Sequence, residues 1–267
     1  MTSASIVTYH TDVMELKTCL RALAGNKVKR IYIIDNGCDD KIRDLASGYH
    51  NVIYIPSANR GYGAGHNIAL RKELGCKDCA YHLVLNSDTD FSSEIIADIE
   101  TYMDSHTDVG CLQPHLYGID GARQFSCRRL PSPFDVFIRR FVPKRFFRSS
   151  REKYLLSGID PALAWDIPYH QGSFLFLRKE ALVKTGIFDE RFFMYPEDID
   201  LTRRIHREYR TICWPGASVI HRHNAASYKS IRMLWIHVIN MIRYFNKWGW
   251  FYDEERKRFN NSIRSYR

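Results

Sequence analysis

From residue 4 to residue 112, short apolar runs alternate with stretches of helical period. Residues 5–8 form a short apolar run, and Val13, Leu16, Leu20 and Leu23 then recur at three- and four-residue steps, which predicts a helix over 12–23. Residues 30–34 and 52–55 read as strands, 64–74 as a helix and 81–85 as a strand. A helix opening near Ser92-Ser93-Glu94 contains residues 98–103, and 109–112 is extended. Strands alternating with helices predict an α/β fold, a mostly parallel sheet with helices on both faces.

The rhythm breaks between residues 118 and 169, a basic, aromatic stretch punctuated by Pro131, Pro133, Pro143 and Pro161. Long irregular stretches inside a domain are usually functional. Pattern returns with a strand over 172–177, helices over 179–185 and 197–208, and a last strand over 211–214. Residues 230–250 then predict one amphipathic helix. Lys229, Arg232, Asn240, Arg243 and Lys247 recur on one side; Ile231, Leu234, Trp235, Val238, Ile242 and Phe245 occupy the other. Such a helix suits an anionic membrane surface, and equally a helix packed on the domain with a snorkelling basic rim. The expected division is a domain over 1–227, with 118–169 as an acceptor-side insertion, and a basic helical extension over 228–267.

Charge sharpens this division. The formal net charge is +9, yet residues 123–153 carry ten Lys and Arg against two acids, and 229–267 carry nine against three. The remainder is therefore acidic, and the basic character is local. Anionic lipid or a phosphorylated acceptor fits it; without a nucleic-acid motif, nucleic acid is not an expected partner. No run approaches the ~20 apolar residues of a membrane span, and the start lacks the basic n-region of a secretory signal. Seven scattered cysteines without such a signal read as reduced thiols, and the lone Cys76-Lys77-Asp78-Cys79 gives little reason to expect zinc.

Two acidic clusters carry the candidate chemistry. The run 81–85 ends in Asn86-Ser87-Asp88-Thr89-Asp90, and Phe192-Phe193-Met194-Tyr195-Pro196 leads into Glu197-Asp198-Ile199-Asp200. Carboxylates just past a buried strand sit where open α/β sheets bind ligands. Asp88 and Asp90 can share one cation if the chain turns after the strand; the second cluster, pressed against apolar surface, suits a base. Each cluster alone also reads as plain turn chemistry or helix capping. Gly61-Tyr62-Gly63-Ala64-Gly65 has GxGxG rather than GxGxxG spacing and follows the third strand, so it is not a dinucleotide fingerprint.

Taken in order, these segments resemble glycosyltransferase family 2, with the GT-A fold. The matching residues are Ile6-Val7-Thr8-Tyr9-His10, Ile34-Asp35-Asn36-Gly37-Cys38-Asp39, Asn59-Arg60-Gly61-Tyr62-Gly63-Ala64-Gly65-His66-Asn67 and Leu85-Asn86-Ser87-Asp88. They continue with Gly172-Ser173-Phe174-Leu175, Gly186-Ile187-Phe188-Asp189-Glu190-Arg191-Phe192-Phe193, Tyr195-Pro196-Glu197-Asp198-Ile199-Asp200-Leu201 and Val219-Ile220-His221-Arg222-His223. The nearest subgroup is the rhamnosyltransferase-like enzymes of bacterial surface polysaccharides. The resemblance implies that Thr8, Tyr9 and Asp35 hold the nucleoside, with Asp35 on a pyrimidine base. Asn59, Gly61, Gly63, Asn67 and Asn86 lie along the nucleotide-sugar, Asp88 and His221 hold Mn²⁺ or Mg²⁺, and Asp198 is the catalytic base. Asn86 stands where the family's DxD motif has its first acid, so a second metal carboxylate would come from Asp90. The QxxRW motif of processive synthases is absent.

The resulting expectation is an inverting, metal-dependent enzyme. It would move a sugar from a UDP- or dTDP-type donor to a glycan or lipid-linked glycan, in the cytoplasm at the inner membrane face. A sugar nucleotidyltransferase is the first alternative, but residues after 8 lack the Gly-rich, Lys-bearing triphosphate loop it needs. A non-catalytic glycan- or membrane-binding protein is the second, and Asn86 lends it weight.

Overall fold

The computed structural model describes residues 1–138, 148–222 and 231–266. Its central strand β1 (Thr2–Thr8) starts earlier than the apolar run, because its polar residues have buried partners. Ser3 Oγ meets His82 Nδ1 at 2.8 Å; Ser5 Oγ meets His82 Nε2 at 2.8 Å and His66 Nδ1 at 2.7 Å. Burial holds both imidazoles neutral, pushing His82 down to about 3.

Strands β2 (Arg30–Asp35), β3 (Val52–Pro56) and β4 (Tyr81–Leu85) join β1 in parallel, in the order β3-β2-β1-β4. Helices α1 (Val13–Gly25), α2 (Asp40–Ser47) and α3 (Tyr62–Leu74) connect them. Asp12 caps α1, accepting from the Met14 and Glu15 amides at 2.7 and 3.2 Å. The apolar spacing does not announce α2, a short helix that buries only Ile42 and Ala46.

Past β4, after β5 (Thr89–Asp90) and α4 (Ile95–Ser105), the sheet becomes mixed. Strand β6 (Val109–Tyr117) is followed by the two-residue strands β7 (Arg123–Gln124) and β8 (Cys127–Arg128), helix α5 (Arg148–Leu155), β9 (Ala164–Asp166), β10 (Tyr169–His170) and β11 (Phe174–Arg178). β11 runs antiparallel to both β4 and β6, and β12 (Arg210–His221) pairs parallel with β6. The long strands other than β11 therefore share one direction, with helices on both faces. Residues 118–169 are less irregular than expected. Strands of two or three residues are too short to display a period, yet β9 pairs with β12 and β8 with β10. Pro143 of that stretch lies outside the described residues.

Two helices follow β11, α6 (Lys179–Thr185) and α7 (Glu197–His206); the chain after β12 forms α8 (Ile231–Trp248), α9 (Glu254–Asn261) and β13 (Arg264–Tyr266). This C-terminal segment folds back on α7. Arg203, fully buried, meets Asp253 at 2.6 and 2.8 Å and Glu255 at 2.8 Å, with the Trp248 ring 4.1 Å away. β13 pairs with β9 at the sheet edge.

The expected basic stripe of α8 is broken up. Lys247 turns inward to Asp200 at 2.6 Å and Asp189 at 2.8 Å, and Arg243 donates to the Arg191 carbonyl at 2.9 Å. A buried carboxylate such as Asp200 requires charged partners, and that requirement takes the lysine from the surface. Lys229 lies outside the described residues. The outer face of α8 is instead apolar, with Ile231, Trp235, Ile239 and Ile242 exposed. None of the described helices is long and apolar enough to cross a membrane.

Candidate active site

The strand ends β1, β2 and β4 open on one side of the sheet, where Thr8, Asp35 and Asn86 follow or close their strands. Asp35 is fully buried and accepts four hydrogen bonds: Thr8 Oγ1 at 3.0 Å, the Gly37 amide at 3.0 Å, the Asp39 amide at 2.7 Å and Tyr54 Oη at 2.9 Å. Its oxygens fix the turn after β2, and Thr8 is spent on the same task. What faces outward here is Tyr9, 53% exposed, and the backbone at Gly37. Asn36 Oδ1 is buried without a partner among the described residues, while Asn59 Oδ1 accepts from the Gly61 amide at 3.1 Å.

The glycines of α3 serve close packing. Gly61 has φ +103°, and a Cβ there would lie 2.1 Å from the Phe193 carbonyl oxygen. A Cβ on Gly63 would meet Phe188 at 2.9 Å, and one on Gly65 would meet Val7 at 2.7 Å. Asn67 is fully buried, donating to the Phe188 carbonyl at 2.9 Å and Glu190 Oε1 at 2.8 Å and accepting from the Phe188 amide at 3.1 Å. Gly61, Gly63 and Asn67 thus clamp the segment that leads into the second acidic cluster.

At the end of β4, Asn86, Asp88 and His221 converge. His221 Nε2 lies 3.2 Å from Asn86 Nδ2 and 3.4 Å from Asp88 Oδ1. Gln124 grips the histidine from behind: its Nε2 donates to the His221 carbonyl at 2.8 Å, so its Oε1, at 2.7 Å, accepts from Nδ1. That tautomer leaves Nε2 with its lone pair, which accepts from Asn86 Nδ2 with Asp88 Oδ1 alongside. A carboxylate oxygen beside a lone-pair imidazole nitrogen is a donor set that fits Mn²⁺ or Mg²⁺.

Asp90 stands apart. Among the described residues, the set of three metal-binding side chains with ligand atoms within 4.8 Å of one another is Glu73, Asp78 and Cys79, away from this corner and already engaged by Arg30 at 2.7 and 2.6 Å. Sharing an ion with Asp88 required an irregular turn. Residues 89–90 instead form β5 against β12, and the nearest cation to Asp90 is Arg222 at 3.9 Å. His223 lies outside the described residues.

The second cluster begins α7. Asp198 is 7% exposed, with Oδ2 accepting from the Gly172 amide at 2.9 Å and Oδ1 from the Ile199 amide at 2.7 Å. Burial raises its pKa above the ordinary carboxylate range; the two amides and the Arg128 charge offset part of that rise. Glu197, also buried, is raised by burial and by Asp198, and its Oε2 has no partner among the described residues. Asp200 differs in kind: Arg204 Nε at 2.9 Å, Trp248 Nε1 at 2.8 Å and Lys247 Nζ at 2.6 Å occupy both its oxygens. Before the helix, Tyr195 holds φ +91°, a conformation costing about 1–3 kcal/mol in a bulky residue.

One dipeptide joins the two clusters. The Gly172 amide holds Asp198, and the Ser173 carbonyl accepts from the Asn86 amide at 3.0 Å. Gly172 and Ser173 matched a motif in sequence but carried no role there. Gln124, Arg128 and Glu197 also went unassigned. Gln124 and Arg128 sit in two-residue strands that periodicity does not mark, and Glu197 looks like an ordinary helix-start acid.

The family model described as glycosyl transferase family 2 matches residues 3–186. The chain is 28% identical over 221 residues to the N-acetylglucosaminyl-diphospho-decaprenol L-rhamnosyltransferase of Mycobacterium tuberculosis, covering 77% of this chain and 70% of that protein. It is 24% identical over 249 residues to the rhamnosyltransferase WbbL of Escherichia coli, covering 90% of each. Among solved structures it is similar to the mannosyltransferase PcManGT from Pyrobaculum calidifontis in complex with GDP-Man and Mn²⁺. The TM-score is 0.57 and the identity 16%, over 92% of this chain and 63% of that one. That likeness establishes the GT-A architecture.

Proposed function

Since the chain belongs to glycosyl transferase family 2, we propose that this glycosyltransferase is metal-dependent and inverting, moving a sugar from a UDP- or dTDP-type nucleotide-sugar to a lipid-linked glycan. The observation that carries the reading is the Gly172-Ser173 bridge, in which the Gly172 amide holds the buried Asp198 and the Ser173 carbonyl holds Asn86, itself in contact with His221 beside Asp88. Tyr9 and the turn fixed by Asp35 support a nucleoside seat. Asp88 and His221 would hold Mn²⁺ or Mg²⁺, which when bound neutralises charge on the departing diphosphate.

Asp198 Oδ2, anchored by Gly172, accepts the proton of the acceptor hydroxyl. The acceptor oxygen bonds to the anomeric carbon as the carbon–phosphate oxygen bond breaks, and the bonding pair leaves with the nucleoside diphosphate. One displacement with no enzyme nucleophile inverts the anomeric centre. Burial suits Asp198 to this task, because a carboxylate raised above its usual range is the stronger base. The lipid-linked acceptor of the mycobacterial relative and the exposed apolar face of α8 support work at a membrane. In this reading Ile231, Trp235, Ile239 and Ile242 enter the interface and Arg232 faces anionic headgroups at the inner leaflet.

The test is thermal stability of wild type and Asp88→Ala with UDP-, dTDP- and GDP-sugars, in Mn²⁺ and in chelator. A ligand at a hundred times its Kd adds about 2.7 kcal/mol to wild type. Stabilisation by UDP- or dTDP-sugars only with Mn²⁺, and lost in Asp88→Ala, is expected. Equal stabilisation in all conditions contradicts the metal role.

A further inference from the structure

A second polar cavity lies outside the site just described. It has a volume of about 480 Å³ and is lined by Arg129, Arg256, Lys257, Phe251 and Tyr252, among others. Arg129 is part of the lining, and its Nε is fully buried with no hydrogen-bond partner among the described residues. A desolvated guanidinium nitrogen with nothing to donate to is costly, and the cost is recovered when a ligand supplies the acceptor. Desolvation also lowers the guanidinium's pKa, and the Asp135 charge offsets only part of that fall. Arg256 closes one wall, tied to the Trp250 carbonyl at 3.0 Å, and Lys257 is exposed at the rim. Asp253 of the same lining is neutralised by Arg203 at 2.6 and 2.8 Å, which leaves the exposed Glu254 against Arg129, Arg256 and Lys257, a lining that is net cationic. Phe251 and Tyr252 stand out from the rim at 80% and 93% exposure. Two adjacent aromatic side chains in open solvent beside a cationic hole match an amphiphile with an anionic head.

The cavity adjoins the catalytic helix. Arg203, which binds its Asp253, is five residues along α7 from Asp198, about 7.5 Å at 1.5 Å per residue. Arg128, whose charge acts on Asp198, immediately precedes Arg129.

We propose that this cavity is an acceptor subsite that binds the diphosphate of a lipid-linked glycan on Arg129 and Lys257, with Phe251 and Tyr252 against the first part of the lipid. The subsite rests on the acceptor class given under the proposed function and adds the residues that recognise it. A planar guanidinium fork is matched to paired phosphate oxygens.

The experiment is calorimetry with geranyl diphosphate in chelator, which leaves the Asp88–His221 corner without metal, on wild type, Arg129→Ala and Arg129→Lys. Wild type binds, Arg129→Ala binds about 10–100-fold more weakly, the loss of a charge-assisted contact, and Arg129→Lys recovers part of the loss. UDP with Mn²⁺ binds all three alike. No binding by wild type, or equal binding by wild type and Arg129→Ala, overturns the subsite. Failure of UDP with Mn²⁺ to bind wild type while the geranyl diphosphate result holds rejects the donor reading and leaves the subsite standing. Sedimentation with phosphatidylglycerol vesicles separates the other phosphate source. Equal sedimentation of wild type and Arg129→Ala supports a lipid-linked diphosphate. Loss of sedimentation in Arg129→Ala without loss of geranyl diphosphate binding assigns the arginine to bilayer headgroups and overturns the proposal.

Discussion

The two sides of the site treat buried carboxylates in opposite ways. On the parallel side, Asp35 is sealed from solvent with four donors around it, so its charge is fully compensated and the turn after β2 is rigid. On the side built by α7, Glu197 and Asp198 are equally buried, but they lie next to each other. Two backbone amides serve Asp198, and Glu197 keeps an oxygen with no partner among the described residues. A satisfied carboxylate positions the chain around it. An under-compensated one retains basicity that a reaction can use. Asp200, two residues further on, returns to the first type, with three donors, two of which, Lys247 and Trp248, tie α7 to α8.

The contrast breaks most visibly at Asp35. Asp35→Ala removes the acceptor for four buried or half-buried donors, and should cost on the order of 3 kcal/mol of stability. Chemical denaturation measures it; a loss below about 0.5 kcal/mol would mean that the turn holds itself. Next in size is Gln124→Ala, which frees the His221 ring to adopt the wrong tautomer. Mn²⁺ affinity should fall about 10–100-fold while the fold is kept, as read by titration against a metal-sensitive dye.

The smallest effect has the opposite sign. Glu197 is raised in the fold by burial and by Asp198, whereas an unfolded Glu titrates near about 4.3. The fold therefore prefers the protonated acid, and its contribution is complete below the unfolded pKa and lost as pH rises through the folded one. Glu197→Gln escapes that loss. It should match wild type near pH 4 and exceed it by about 1 kcal/mol at pH 8. A mutant less stable than wild type at pH 8 would show that the ionised group has a partner.

Much of the parallel half was legible because each of its strands and most of its helices are long enough to show a period. Asp88, His221 and Asp198 were legible only as members of an ordered set of motifs; the structure puts Asp88 beside His221 and links Asp198 to Asn86 through Gly172 and Ser173. Two features escaped for physical reasons. Asp90 and Asp88 share a spacing that suits a turn, but strand pairing with β12 decides their orientation, and pairing partners are remote in sequence. The α8 lysine looked like surface charge because helical spacing shows only which side a residue occupies. It does not show that the side meets Asp189 and Asp200. The glycine run was legible as a family motif; its packing against Phe188, Phe193 and Val7 was not.

The division of labour within α7 is the centre of this account, and a paired measurement on Asp198→Asn and Asp200→Asn tests it most directly. Both variants are assayed for turnover with a competent acceptor, for donor binding and for melting temperature. Asp198→Asn should lose about 10²–10⁴-fold in turnover, the range for removal of a general base, with donor affinity and melting temperature held or the latter raised. Asp200→Asn should melt lower, because Arg204 and Lys247 lose their shared anion, and should keep turnover within about tenfold below its melting point. Near-normal turnover in Asp198→Asn, with turnover abolished in a folded Asp200→Asn, would contradict the account and move the base to Asp200.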